Sequence, residues 1–156
     1  MTGPPLDIPP NTAPGADAGY DTVYPLRHVG DPPVAQPFPT IYWLADPELD
    51  KQLAELERLG HIKRLEAEIQ ADADLRKRVH ADHEQYRNLR WAMLRDEDRR
   101  AIEAASTLAK AFRGGVGGTA NFDTLKCLHA HYAYHLARAP HGGTAVGALI
   151  DQLLRR

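Results

Sequence analysis

The placement of proline divides this chain more sharply than any other feature. Of its 12 prolines, all but Pro140 lie at or before Pro47. A proline has no backbone N–H, and its ring clashes with the preceding helical turn. Regular helix is therefore excluded from Asp21 to Thr40, where prolines keep interrupting the chain, while the residues after Pro47 are free of that constraint.

Residues 1–20 are dominated by Pro, Gly, Ala, Thr and Asp, with almost nothing to bury. Such a composition cannot offset the entropy lost on ordering, so a disordered tail is predicted there. Residues 21–45 read as an extended arm packed on the helices. Within it Thr22-Val23-Tyr24 and Thr40-Ile41-Tyr42-Trp43-Leu44 suit short strands that either pair as a small hairpin or lie extended on the helices. Phe38, Ile41, Trp43 and Leu44 are its expected anchors, because aromatic and branched side chains beside prolines bury large areas.

Residues 46–156 read as a single helical domain of about five or six helices, which makes the fold class mainly α. Asp46 can cap, Pro47 suits the first helical position, and Leu49, Leu53, Leu56 and Leu59 recur at helical steps before Gly60. A second segment, Ile62 to Gln70, carries Ile62, Leu65 and Ile69. Asp72 can cap a third, longer helix with Leu75, Val79, Tyr86, Leu89 and Met93 on one face. A fourth runs from Asp96 with Ile102, Ala105, Leu108 and Phe112 inward, and stops at the glycines Gly114 to Gly118. A fifth is expected from Thr119 or Asn121 to about Arg138. Thr144 can cap a short sixth carrying Val146, Leu149, Ile150 and Leu153.

At 156 residues one domain with a real core is the expectation. The formal charge of -2 gives no bulk pull toward nucleic acid, though a local basic face is compatible with it. One cysteine cannot build an internal disulfide framework, and the first twenty residues lack the basic start and apolar run of a signal peptide, so a cytoplasmic protein is expected. No apolar stretch approaches the roughly 18 residues that span a bilayer.

The chemistry is concentrated after the glycines. Cys127 is the only cysteine, and His129, His131 and His135 are three of the eight histidines. On a helix running through this segment, Cys127, His131 and His135 form one row, and His129 lies roughly 200° from Cys127, beyond the buried stripe. The ends of that row are about 12 Å apart along the axis, too far to share one ion. A zinc site would thus use Cys127 with His131, or His131 with His135, and import ligands from His80 and His83. A second polar row, His83, Arg87 and Arg90, stands on the third helix. With Lys126 and the amides of the glycine run, Gly117 and Gly118 included, it could hold a phosphate-like anion. The run lacks the spacing of a nucleotide-binding loop, and no strand precedes it. Ser106 sits in a helical context without a nucleophile elbow, so serine hydrolysis is not expected.

Several segments carry a resemblance. Phe38-Pro39-Thr40-Ile41-Tyr42-Trp43-Leu44, the Leu-rich helix ending Arg58-Leu59-Gly60, the pair His83 and Tyr86, and Gly117-Gly118 leading to Lys126-Cys127-Leu128-His129-Ala130-His131 resemble the bacterial domain-of-unknown-function 501 family over roughly residues 37–151. The resemblance implies a small bacterial cytoplasmic protein and carries no established activity. Relatives often have a cysteine before a proline ahead of the Phe-Pro-Thr segment. Tyr24-Pro25 stands in that region here, which weakens a two-cysteine metal or redox reading.

Three functions remain open from the sequence. One is a binding or regulatory module holding a phosphate-like anion on His83, Arg87, Arg90, Gly117, Gly118 and Lys126. Another is a metal-dependent, zinc-type enzyme using Cys127, His131 and His135 with His80 or His83. The third is an interaction scaffold for a small protein partner, with no small-molecule site.

Overall fold

The structure, a computed structural model, describes residues 18–155. It is mainly α, with seven α-helices and four short strands among those residues. The tail expected over 1–20 lies outside the described residues up to residue 17, and Tyr20 already begins a strand.

The arm contains two antiparallel pairs. Strand β1 (Tyr20–Thr22) pairs with β4 (Tyr42–Leu44), with Tyr20 opposite Leu44 and Thr22 opposite Tyr42. The pairing foreseen between the arm's two ends thus forms. Between them β2 (Leu26–Val29) and β3 (Val34–Pro37) make a hairpin that the prolines hide from sequence reading. Its turn begins at Gly30, whose φ of 93° suits a residue without a Cβ. Successive side chains of a strand point to opposite faces, and β4 shows the consequence. Tyr42 is buried and Trp43 is 44% exposed. Ile41 is fully buried and anchors the arm as expected, whereas Trp43 does not.

Helix α1 (Pro47–Arg58) starts as its sequence dictates: Asp46 Oδ1 accepts the N–H groups of Glu48 and Leu49 at 3.0 and 3.2 Å. Gly60, at φ 86°, turns the chain into α2 (His61–Ala71). Asp72 caps α3 (Ala73–Met93), whose buried face includes Leu75, Val79, Tyr86, Leu89 and Met93, the face expected from their spacing. The expected fourth helix is two, α4 (Asp96–Ala104) and α5 (Ser106–Ala111), divided at Ala105, which is extended. Helices α6 (Leu128–Ala137) and α7 (Ala145–Leu154) complete the chain. No helix among the described residues is long and apolar enough to cross a membrane.

Three buried clusters fix the helices and the arm in place, one of them joining Tyr24 and Leu26 of the arm to Ile102 of α4 and to Phe112. Leu53, Leu65, Ile69, Val79, Leu128 and Ile150 join α1, α2, α3, α6 and α7. Ile41, Tyr42, Tyr86, Val116 and Tyr134 join the arm to α3, α6 and the glycine turn. The Tyr86 hydroxyl accepts the Ile41 N–H at 2.8 Å, so α3 holds the arm by a polar bond as well as by burial.

Candidate functional site

The start of α6 decides the site. A helix from Thr119 or Asn121 is not what forms, because the amides of that segment find other partners. Asn121 accepts the N–H of Asp123 with its side chain and that of Thr124 with its carbonyl, which closes a turn. The Leu125 N–H goes to Glu66 of α2, and the Leu128 N–H to Glu57 of α1, each at 3.0 Å. Cys127 is extended, with φ -154° and ψ 155°, and caps α6 by accepting the Ala130 N–H on Sγ at 3.4 Å.

The row Cys127, His131, His135 therefore does not exist, since a helical wheel has no meaning for a residue outside the helix. His131 is 3% exposed and packs edge-on against His83, with ring centroids 5.4 Å apart. The ring of His135 lies 3.0 Å from Asp151 through Nε2, and its Nδ1 accepts the Thr144 N–H at 2.8 Å. His80 reaches Asp123 at 2.5 Å. The His80 and His135 rings are thus engaged by polar partners, the His131 ring packs on His83 with its Nε2 unpartnered, and none of the three joins the group around Cys127.

The cysteine meets the histidine that helical geometry sets apart from it. One ligand atom from each of Glu57, Cys127 and His129 lies within 4.8 Å of the other two, the only such group of three found among the described residues. His129 Nδ1 is 3.0 Å from Glu57 Oε1. Its Nε2 is 3.2 Å from Asp50 Oδ1 and 3.1 Å from the Asp50 carbonyl. Both ring nitrogens thus face oxygens that can only accept. With one N–H donated to Asp50, the lone pair on Nδ1 and the Glu57 carboxylate oppose each other unless a cation, proton or metal, stands between them. Burial pushes the Cys127 thiol up from its ordinary pKa, and the charge of Glu57 adds to this.

Beside this trio lies a cavity of about 150 Å³, lined by Thr40, Tyr42, Trp43, Leu44, Gly117, Lys126, Cys127, His129 and Ala130. Strand β4 supplies its apolar wall, and the chain entering α6 its polar one. Gly117 stands at φ 65°, and a Cβ there would come within 2.9 Å of Lys126 Cγ, so the lysine stem lies directly on the glycine turn.

None of the other basic residues of the expected anion site lines this cavity. Arg90 is fully buried, and its guanidinium donates to the carbonyls of Pro39 and Gly115 at 3.1 Å, to Phe112 at 3.3 Å, and to Gly114. Burial lowers its pKa to about 10. His83 is 1% exposed, accepts the Val116 N–H at 3.1 Å and stacks on Phe122. Arg87 is half-buried. The third-helix row is thus no common exposed face: His83 and Arg90 hold the glycine turn from beneath. Gly118 packs toward Pro39. Of the six residues, Gly117 and Lys126 line the cavity.

Sequence patterns do not single out Glu57 and Asp50, and they set His129 apart from Cys127. Glu57 and Asp50 look like any solvated carboxylate on a charged helix, and a helix begun too early puts His129 on the wrong side. The one signal in the sequence is Cys127 itself, because a polar side chain of its size can cap a helix as well as sit within one.

The family described as "Protein of unknown function (DUF501)" matches residues 17–152. The chain belongs to this family, as the glycine-to-histidine segment implied. No curated protein and no solved structure matches the chain.

Proposed function

We propose that the protein is a metal-binding module in which Glu57, Cys127 and His129 hold a divalent ion of the zinc type, with one coordination position left open to the adjacent cavity. The observation that carries this reading is the geometry of His129, held between two carboxylates with Cys127 alongside. A thiolate, an imidazole and a carboxylate together suit zinc better than the hard cations magnesium or calcium, which select oxygen donors. Three protein ligands with an open fourth position is the arrangement of reactive rather than purely structural zinc sites. Asp50 behind His129 would fix the ring's orientation and raise its basicity as a ligand. The anion foreseen from the sequence has a place in the same reading, as a ligand shared by the ion and Lys126.

Thermal unfolding with added zinc tests this. An ion at about 100 times its dissociation constant stabilises the folded state by about 2.7 kcal/mol. The melting temperature is expected to rise in the native protein and to stay unmoved in Glu57→Gln. An equal rise in both would overturn the assignment.

A further inference from the structure

Resting on that metal reading, we propose that the cavity takes a small organic anion with a compact apolar body: the head group between the ion and Lys126, and the body against the exposed indole of Trp43. The two walls have different chemistry because they come from different elements. Strand β4 lends the carbon surface of Trp43, while Lys126, Cys127 and His129 bring charge and metal affinity.

Size narrows the class. A volume of about 150 Å³ equals the liquid share of roughly five water molecules. That is below the roughly 300 Å³ at which sites for drug-sized ligands begin, so a nucleotide does not fit inside and a short-chain carboxylate does.

Trp43 supplies the second observation. It is 44% exposed yet held in place: its Nε1–H donates to the Thr40 carbonyl at 2.9 Å, and its ring stacks on Phe38 at 5.7 Å and 17°. The Arg27 guanidinium lies 3.6 Å over the Phe38 ring. An indole locked by a hydrogen bond and a stack, but left uncovered, is an ordered apolar surface facing a polar one. A ligand that covers it loses little side-chain entropy.

The amino end of α6 is not the anion site. Its Leu128 and Ala130 amides are already given to Glu57 and Cys127. Head-group recognition therefore falls to Lys126 and the ion.

The test titrates acetate, propionate and butyrate into the cobalt-substituted protein, following the visible spectrum, and into metal-free Trp91→Phe protein, following the fluorescence of Trp43. Affinity is expected to rise about fourfold per added methylene. Trp43→Ala should flatten this gradient without changing the thiolate-to-cobalt band, and Lys126→Gln should weaken all three anions alike while keeping the gradient. A gradient in the metal-free protein without any cobalt band would refute the metal reading and keep the cavity. A flat series in both proteins, or a gradient that survives Trp43→Ala, would overturn the proposal.

Discussion

His129 and His131 are two residues apart on one helix, and the protein treats them oppositely. His129 stands at the rim of a cavity with both ring nitrogens against carboxylates. His131 is buried in contact with His83, and Nε2 of each ring finds no hydrogen-bond partner within the protein. Burial lowers the pKa of His83 to about 4 and that of His131 to about 3, with His80 further disfavouring charge on His83, and His83 on His131. Histidine in this chain is thus a ring held between two carboxylates on one face of α6 and a neutral packing group on the other. What separates the roles is the company each ring keeps, since the residue type is the same.

That contrast can be broken in several ways. The largest effect belongs to the buried side. Arg90→Ala removes a guanidinium that serves carbonyls from both the arm and the glycine turn. Stranding those oxygens is expected to lower stability by about 3–5 kcal/mol, measured by urea unfolding. A loss below about 1 kcal/mol would mean that the turn holds itself.

Acid comes next. The folded state keeps His83 and His131 neutral, whereas the unfolded chain protonates them near pH 6.5. Their effect is absent above that pH. As pH falls from 6.5 toward 4 and then 3, the unfolded state binds more protons and stability is lost, by about 3 kcal/mol for His83 alone. His83→Gln should flatten that part of the urea-midpoint curve. A wild-type midpoint unchanged between pH 7 and pH 4 would show that the pair is not held neutral.

A smaller effect is expected on the cavity side. Asp50→Asn keeps the backbone acceptor for His129 but removes the charge behind it, so zinc affinity should fall about tenfold, read by competition with a chromophoric chelator. An unchanged affinity would remove Asp50 from the site.

The smallest effect is the most discriminating. Cys127→Ser replaces one side-chain cap of α6 with another, and serine is a good cap. Metal-free stability should therefore change by less than about 0.5 kcal/mol, while the zinc-dependent stabilisation disappears. A large loss without metal would show that Cys127 is chiefly a structural residue.

The same contrast explains what is readable in the sequence. Local signals place α1, through Asp46, Pro47 and the leucines, and the inward face of α3, through its spacing. They fail wherever a distant side chain outcompetes the local backbone. Glu57 and Glu66 take the N–H groups of Leu128 and Leu125, which delays α6 until Leu128. Every angle measured from Cys127 on a helical wheel is lost with that shift. The hairpin of β2 and β3 is hidden for a related reason: prolines rule out helix locally, but only pairing partners reveal a strand. Arg90 reads as exposed because arginine is almost never fully buried unless paired, and its partners are carbonyls from segments 22 to 51 residues away.

In the proposed site Glu57, Cys127 and His129 hold the metal, and the histidines on the other faces do not. Elemental analysis of zinc per chain, after dialysis of separately purified variants, tests it most directly. One equivalent is expected in the native protein and in His80→Gln, and none in Cys127→Ser or His129→Gln. A full equivalent retained by Cys127→Ser, or zinc lost from His80→Gln, would contradict the account.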